Sequence, residues 1–83
     1  MYCLYIVRCA DKTLYIGIAK DVKKRITEHN MSDLGARYTK ARRPVKLVYQ
    51  KKFRNRSTAT RAEVKMKKLS RIEKLSLIKT AKL

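Results

Sequence analysis

The chain has 83 residues, enough for one domain with a small core, and residues 1–83 are treated as a single domain. Its 23 Lys and Arg against six Asp and Glu give a net charge of +17, while 45% hydrophobic residues still allow a packed core. No apolar run approaches the roughly 20 residues of a membrane span. The first eight residues show no secretory signal, so we expect a cytoplasmic protein that does not span a membrane.

The positive charge is concentrated after residue 36. Residues 37–83 hold 17 basic and two acidic residues, a net charge of +15, against +2 for residues 1–36. Such a surface repels itself and is most useful beside a polyanion, so nucleic acid is the first candidate partner and an anionic membrane surface the second. Acidic substrates of other kinds rank third, and a well-solvated basic surface is the plain alternative.

The first two predicted elements form a β-hairpin. Residues 2–8 and 13–18 are rich in strand-forming residues, and the short turn-like segment 10–12 separates them. On one extended strand, Cys3 and Cys9 would lie about 20 Å apart, which is beyond disulfide reach. Neither has a partner at metal-ligand spacing, so both are interpreted as small hydrophobic residues in a reducing cytosol.

The middle of the chain predicts one helix and one strand. Residues 21–30 carry helix formers, with Asp21 as the acidic residue at the N-terminus, and the pattern breaks before Gly35. Residues 35–44 are basic and irregular. Residues 45–53 predict a third strand, because apolar and polar residues alternate along them. The alternating apolar residues are Val45, Leu47 and Tyr49.

Two further helices are predicted toward the C-terminus. Ser57 opens the second helix of the chain, and Ser70 with Glu73 three residues later forms a capping box for the third. The last four residues are expected to fray. The predicted apolar faces are Ala59, Ala62, Met66 and Leu69 on the second helix, and Ile72, Leu75 and Ile78 on the third. The order β-β-α-β-α-α predicts an α+β fold in which a three-stranded antiparallel sheet is flanked by three helices.

The first helix carries two candidate functional residues on its packed face. Val22, Arg25, Ile26 and His29 fall at i, i+3, i+4 and i+7. Because Val22 and Ile26 must face the core, Arg25 and His29 are carried toward the sheet. The alternative is that Arg25 only lays its aliphatic stem along the surface and that His29 is an ordinary half-buried histidine.

Glu63 is unusual because it is one of two acidic residues in the strongly basic segment. It follows Ala62, at the border of the packed face of its helix. One interpretation is a surface ion pair with Arg61 or Lys67. The other is a carboxylate ligand for a hard cation such as Mg²⁺, whose shell waters and a substrate phosphate would complete.

The hairpin supplies two tyrosines. Tyr5 and Tyr15 lie on adjacent strands. They share a face of the sheet only if the sequence numbers of two residues paired across the strands add up to an even number, which an odd-length turn or a bulge allows. Core aromatic residues are the alternative interpretation. Gly17 inside a strand indicates that another group approaches the backbone closely.

Taken together, these residues resemble the GIY-YIG nuclease domain. The segments Cys3-Leu4-Tyr5 and Tyr15-Ile16-Gly17, followed by Arg25, His29 and Glu63, have the order and spacing of that family, and the resemblance covers roughly residues 2–78. Cys3 and Leu4 stand where the family name has Gly and Ile. Gly35-Ala36-Arg37-Tyr38-Thr39 and Arg61-Ala62-Glu63 further resemble the small stand-alone bacterial members, which are similar to the nuclease domain of structure-specific Slx-type endonucleases.

The resemblance implies an endonuclease that uses Mg²⁺ or Mn²⁺ to hydrolyse DNA phosphodiester bonds and selects structure rather than sequence. By resemblance, Tyr5 would be the general base, with its pKa lowered by Arg25 and by a metal on Glu63. Tyr15 would orient the water or a phosphate oxygen, and Arg25 would hold the scissile phosphate. His29 would assist proton transfer or position the phosphate. The candidate contacts to the nucleic-acid backbone are Lys12, Lys20, Arg37, Lys40, Arg42 and Arg43.

Two other interpretations stay open at this point. A nucleic-acid-binding module could keep the nuclease fold without cleaving. A basic structural protein of the ribosomal type would explain the charge but not the tyrosines and the glutamate. A protein partner that supplies substrate specificity is also left open, as are the choice between DNA and RNA and the oligomeric state.

Overall fold

A computed structural model describes residues 1–31 and 37–81, which form the predicted α+β fold. The strands are β1 (Tyr2–Arg8), β2 (Leu14–Ala19) and β3 (Lys46–Phe53), and the helices are α1 (Val22–Met31), α2 (Arg37–Lys40), α3 (Arg56–Lys67) and α4 (Arg71–Ala81). The strands form one antiparallel sheet in the order β2-β1-β3. Within the described ranges, no helix is long and apolar enough to cross a membrane.

The short helix α2 was not predicted. It lies in the stretch 35–44 that we expected to be irregular, so the described residues contain four helices rather than three. A four-residue helix is not stable by its own propensity. Tertiary hydrogen bonds hold it instead: the Thr39 hydroxyl lies 2.8 Å from His29 Nδ1, and the Ala10 N–H donates to the Arg42 carbonyl, two residues after the helix, at 2.9 Å. Of the helix break expected at residues 30–35, residues 30–31 still belong to α1, and residues 32–35 lie outside the described residues, as does the Gly35-Ala36 part of the resemblance.

The register of the hairpin places the two tyrosines on one face of the sheet. Tyr5 lies opposite Gly17, and Val7 lies opposite Tyr15. The numbers of paired residues therefore sum to an even value, which confirms that Tyr5 and Tyr15 can meet. This face packs against α1, where Val22 joins Tyr5 and Val7 in one buried cluster.

Each face of the sheet carries a hydrophobic cluster. The cluster under α1 includes Cys3 and Cys9, which are buried free thiols, as predicted. The cluster on the opposite face lies under α3 and α4. Its buried members are Leu4, Ile6, Ile16 and Met66. The central strand β1 contributes to both clusters, so the small core is built around it.

A bulge in β3 changes the predicted facing of that strand. The pairing with β1 shifts between Ile6, which faces Tyr49, and Val7, which faces Leu47. Val48 is the additional residue. Leu47 therefore packs under α1, whereas Tyr49 packs on the opposite face. The expected alternation, which put Leu47 and Tyr49 on the same face, is wrong because a bulge breaks the two-residue period.

The predicted helix starts are confirmed at two of three places. Asp21 precedes α1 and accepts the Lys24 N–H at 3.1 Å, as an N-cap does. Ser70 and Glu73 form the predicted capping box, in which each backbone N–H donates to the other's side chain at 3.0 and 3.1 Å. At α3 the cap is Asn55, whose side chain accepts the Thr58 N–H, and the expected Ser57 start is wrong by two residues.

The packed face of α4 also differs from the predicted one. Leu77 and Ile78 pack against the cluster under α3 and α4, whereas Ile72 is 80% exposed. The predicted stripe started from Ile72 and left out Leu77. The face of α4 that packs against the cluster instead contains Leu77 and Ile78 and leaves Ile72 in solvent. Residues 80–81, expected to fray, belong to α4, and residues 82–83 lie outside the described residues.

Candidate active site

Tyr5 occupies the centre of the candidate site. It lies on the central strand and is only 1% exposed. Its ring leans across β2 onto Gly17, where a Cβ atom would lie 2.6 Å from Tyr5 Cζ and closer still to the hydroxyl. Gly17 is therefore needed for space rather than for backbone conformation, and the group that approaches its backbone is Tyr5 itself. This packing fixes the position of the Tyr5 hydroxyl.

His29 receives that hydroxyl at the end of α1. The Tyr5 oxygen lies 2.8 Å from His29 Nε2, and Nδ1 on the other side of the ring lies 2.8 Å from the Thr39 hydroxyl oxygen. His29 and Thr39 are both fully buried. The prediction that α1 carries His29 toward the sheet is confirmed, and the interpretation of a half-buried histidine is not.

Arg25 lies one helical turn before His29 on the same face of α1. Its Nη1 donates to the Glu28 carboxylate at 2.9 Å, and both side chains are partly buried. Its guanidinium is also close enough to the Tyr5 hydroxyl to lower the pKa of that group through a hydrogen bond and through its charge. Arg25 therefore reaches the same hydroxyl as His29.

The pKa of Tyr5 in the protein without ligands is raised by burial, to about 12. Arg25 acts to lower it, but the loss of hydration outweighs that effect, and the charges of Tyr15 and Glu63 raise it further. Tyr5 is therefore protonated at neutral pH in the protein without ligands. The expected direction of the Arg25 effect is confirmed, but burial outweighs it, and the contribution expected from a metal on Glu63 stays a prediction.

The environment of His29 keeps its ring neutral. Burial lowers the pKa of His29, and the positive charges of Arg25 and Arg43 lower it further, against the opposing charge of Glu28. A neutral imidazole has one N–H and one free nitrogen lone pair. His29 can therefore accept one proton from a neighbouring group.

Tyr15 packs directly against the imidazole. Its ring centroid lies 5.3 Å from that of His29 in an edge-on arrangement, and 5.9 Å from that of Tyr38 in a stacked one. The Arg42 guanidinium lies 4.0 Å from the centre of the Tyr38 ring. Tyr15 therefore fits both interpretations of the hairpin tyrosines. It is a core aromatic residue in the cluster under α1, and it also borders the candidate site.

Glu63 approaches the site from α3. Its carboxylate lies 3.5 Å from Lys67 Nζ, one turn further along the helix, so the predicted surface ion pair is present. The side chain is nevertheless only 20% exposed, and its charge acts on Tyr5. A single half-buried carboxylate oxygen donor fits a Mg²⁺ ion that keeps most of its waters. Among residues 1–31 and 37–81, no three His, Cys, Asp or Glu side chains cluster as a ready-made cage.

The six candidate contacts to nucleic acid fall into two groups. Lys12, Arg37 and Lys40 have exposed side chains, on the hairpin turn and on α2. Lys20 is also exposed, but it lies at the other end of β2, with its Nζ 5.3 Å from the centre of the Tyr2 ring.

The remaining two candidates already have structural partners. Arg42 donates to the Asp11 carboxylate at 3.0 Å and to the Tyr38 carbonyl at 2.9 Å. Arg43 donates to the backbone carbonyls of His29 and Glu28, at the C-terminal end of α1. Both guanidinium groups are partly buried. They help to place α2 and α1, and binding to a phosphate would compete with these contacts.

Three residues around the site were missed from the sequence. Thr39 binds the His29 ring, Glu28 binds Arg25, and Asn30 uses both atoms of its amide group to bind the backbone of Val45. Thr39 stood in the segment quoted for the resemblance, but nothing in a short basic stretch indicated that its side chain would be buried. Glu28 carried a usable signal, because it lies three residues after Arg25 on a helix.

Comparisons with known proteins identify the family of this chain. The family model of the GIY-YIG catalytic domain matches residues 1–76. A UPF0213 protein of Desulfotalea psychrophila is 53% identical over 78 residues, which are 94% of this chain and 71% of that protein. A UPF0213 protein of Staphylococcus saprophyticus is 53% identical over 75 residues, which are 90% of both chains.

Two solution NMR structures have the same fold. The UPF0213 protein of Bacillus halodurans has a TM-score of 0.61 and 38% identity, with 96% of this chain and 85% of that chain covered. A protein of E. faecalis has a TM-score of 0.64 and 41% identity, with 95% and 83% covered. None of these names refers to Slx-type endonucleases, so that part of the resemblance stays a prediction. The chain belongs to the GIY-YIG family.

Proposed function

We propose that this protein is a nuclease that hydrolyses phosphodiester bonds of DNA, with the Tyr5 hydroxyl as the general base. The observation that carries the proposal is the convergence of separate elements on that one atom. His29 lies 2.8 Å from it, and Arg25, Tyr15 and Glu63 each act on its pKa. Together with Tyr5 these are five residues from four elements, β1, β2, α1 and α3, which folding brings to one place.

The proton path follows from the two pKa values. Tyr5 is protonated at neutral pH, so it can take a proton from a water molecule only while it passes its own proton on. His29 Nε2 lies at hydrogen-bond distance, and the ring is neutral. In our proposal, Tyr5 transfers the proton of the attacking water to His29. Positioned general bases contribute about 10²–10⁴-fold to rate.

Arg25 is the proposed phosphate ligand. A guanidinium stays protonated and presents five N–H donors in a planar fork, of which one binds Glu28 and another acts on the Tyr5 hydroxyl. In our proposal the same guanidinium also binds a phosphate oxygen beside Tyr5. Tyr15, packed against His29, would orient the water or a phosphate oxygen. Arg25 therefore neutralises charge on the scissile phosphate while it also stabilises negative charge on the Tyr5 oxygen.

Glu63 is the proposed ligand for Mg²⁺ or Mn²⁺. A bound divalent cation would supply positive charge for the phosphoryl group and the leaving oxygen. One carboxylate gives weak affinity, so we propose that the substrate phosphate completes the binding site. The Lys67 ammonium, 3.5 Å from Glu63, would be displaced from the carboxylate when a cation binds.

We further propose that the protein selects nucleic-acid structure rather than sequence. The candidate contacts are lysine and arginine side chains, which bind phosphates and carry no sequence information directly. Lys12, Arg37 and Lys40 present exposed charges on the hairpin turn and on α2, whose Thr39 touches the candidate site through His29. The second candidate function, a binding module without cleavage, is favoured by the raised pKa of Tyr5, because the hydroxyl stays protonated at neutral pH and can act as a base only if His29 accepts its proton.

The experiment that separates the two functions is a cleavage assay on flap, junction and linear DNA, with and without Mg²⁺ or Mn²⁺. We expect metal-dependent cutting by the unmodified protein and none by Glu63→Gln, with DNA binding by that variant intact or slightly stronger. Glu73→Gln is the matched control. It makes the same charge change, and glutamine also fits a capping box. Normal cutting by Glu63→Gln would contradict the metal assignment, and no cutting of any substrate by the unmodified protein would favour the binding module.

A further inference from the structure

Thr39 lies at the end of a buried chain of three side chains. The Tyr5 hydroxyl, the His29 imidazole and the Thr39 hydroxyl follow one another at 2.8 Å and 2.8 Å, and none of the three side chains is more than 1% exposed. A neutral histidine can serve this chain in either of two tautomers. One has its proton on Nδ1 and accepts at Nε2, and the other does the reverse. Only the first tautomer can accept a proton from Tyr5.

The surroundings of Tyr5 decide between the two tautomers. Arg25, whose charge acts on the Tyr5 oxygen, can only donate hydrogen bonds, so it offers no acceptor for the Tyr5 O–H. If His29 Nε2 also carried a proton, Tyr5 would face two donors and its own O–H would need another acceptor. Within residues 1–31 and 37–81, no other side-chain hydrogen bond to the Tyr5 hydroxyl is present. The arrangement with every group satisfied has the Tyr5 O–H donating to Nε2.

We infer that Thr39 is a positioning residue that stabilises the His29 tautomer protonated on Nδ1 by accepting the Nδ1–H. With Nε2 accepting from Tyr5, the Nδ1–H must donate, and the Thr39 oxygen 2.8 Å away is its acceptor. A buried N–H without an acceptor is costly, so this hydrogen bond holds both the tautomer and the orientation of the ring. Thr39 thereby keeps Nε2 open toward Tyr5. The tautomer assignment stands on its own, and its effect on cleavage rests on the proposed function.

The test uses the fact that His29 is the single histidine of the chain. In ¹⁵N-labelled protein, NMR distinguishes a protonated ring nitrogen from one that accepts, with no ambiguity of assignment between histidines. For the unmodified protein at pH 7 we expect a protonated Nδ1 and an accepting Nε2. This measurement needs no substrate and no variant. A protonated Nε2 would overturn the inference.

Two substitutions then ask whether Thr39 is the cause. Thr39→Val keeps the shape of the side chain and removes the acceptor for the Nδ1–H. We therefore expect His29 Nε2 to become protonated in some or all of the molecules. Thr39→Ser keeps the hydroxyl, and we expect it to restore the tautomer of the unmodified protein. Thr60→Val, at an exposed position on α3, is the matched control for the exchange itself. An unchanged tautomer in folded Thr39→Val would overturn the inference, and so would a Thr39→Ser variant that behaves like Thr39→Val.

The cleavage assay separates this inference from the proposed function. We expect Thr39→Val to lower kcat by about 10–100-fold, the size of effect seen when partners that orient metal-bound histidines are removed. We expect KM to change little and Thr39→Ser to cut nearly normally. If the tautomers behave as expected but the unmodified protein cuts nothing, the proposed function fails and the positioning role of Thr39 stands. If the unmodified protein cuts and folded Thr39→Val cuts equally well, the positioning role is wrong.

Discussion

At the scale of single residues, the Tyr5 hydroxyl serves stability and proposed chemistry together. It is a buried hydrogen-bond partner of His29, and its ring rests on Gly17. A substitution at Tyr5 therefore changes two properties at once. An experiment on this residue has to measure the free energy of unfolding beside the cleavage rate, because a loss of activity alone would not distinguish the two.

Tyr5→Phe keeps the ring and removes the hydroxyl. We expect cleavage to fall by about 10²–10⁴-fold, because the general base is lost. We also expect the free energy of unfolding to fall by about 1–3 kcal/mol, because His29 Nε2 loses its partner in a buried place. Cleavage kinetics, urea unfolding and DNA binding at low salt measure these effects, and binding should be unchanged.

Tyr2→Phe is the matched control for Tyr5→Phe. It removes a hydroxyl from the same strand at a position that is only half-buried. We expect it to unfold and to cut like the unmodified protein. Normal cutting by Tyr5→Phe would contradict its role as the general base, and a loss of stability without loss of cutting would identify Tyr5 as a core aromatic only.

His29 predicts a pH dependence of stability. Burial holds its pKa below the value of about 6.5 expected for the unfolded chain. Above that pH neither state binds the proton, and below it the unfolded state binds more protons than the folded one. The free energy of unfolding should therefore fall as the pH is lowered from 7 to 5. Urea unfolding at several pH values measures this slope.

Two carboxyl groups act in a separate pH range. Hydrogen bonds with Thr13 lower the pKa of Asp11, and hydrogen bonds with Ser70 lower that of Glu73, so the stability they contribute is lost only as the pH falls through about 4 and below. The slope between pH 7 and 5 therefore belongs to His29, the single histidine. A stability that is constant over this range would show that folded His29 takes up a proton as easily as the unfolded chain.

At the scale of helices and strands, the sequence predicted α1 and α3 well and α4 poorly. Val22 and Met66 are buried on the predicted faces of α1 and α3, because strongly polar residues leave only one choice of face. In α4, Ile72, Leu75, Leu77 and Ile78 spread around the helix. The packing partners decide which of them are covered, and a periodic pattern cannot show these partners.

The weak packing of α4 makes its cap important. None of its residues is buried, so we expect the capping box of Ser70 and Glu73 to contribute much of the stability of its first turn. We expect Ser70→Ala to cost about 1 kcal/mol and to raise amide hydrogen exchange throughout α4 more than in the sheet. Ser57→Ala is the control, because Asn55 caps α3 and Ser57 is exposed. Equal exchange in α4 of both variants would contradict this role of the cap.

At the scale of the whole molecule, the sequence predicted which residues meet but not how deeply they lie. Tyr5, Arg25 and His29 could be brought together from periodicity and resemblance. The raised pKa of Tyr5 could not, because it depends on how deeply the hydroxyl is buried. The role of Thr39 could not, because this residue lies on α2, a helix too short to have a periodic pattern. Secondary structure with a repeating pattern was predictable, and the parts held only by tertiary contacts were not.

The charge of the molecule predicts strongly salt-dependent binding. With 17 basic residues after residue 36, several lysines and arginines can neutralise phosphates and release counterions. We expect the affinity for duplex DNA to fall steeply between 50 and 200 mM salt, on the order of tenfold or more, with little preference for sequence. Titrations at several salt concentrations, with two unrelated duplexes, measure both effects. A flat salt response would contradict the electrostatic account.

The strand order β2-β1-β3 leaves β3 at an edge of the sheet, and this has a consequence for solubility. An open strand edge presents unpaired backbone groups that can template pairing with a second copy and lead to aggregation. Along β3, Lys46, Lys51 and Lys52 are exposed, so a second edge of the same kind would bring like charges together. The bulge at Val48 also interrupts the flat geometry that such pairing needs. We therefore expect the positive charge from which we predict polyanion binding also to oppose the joining of two such sheets edge to edge.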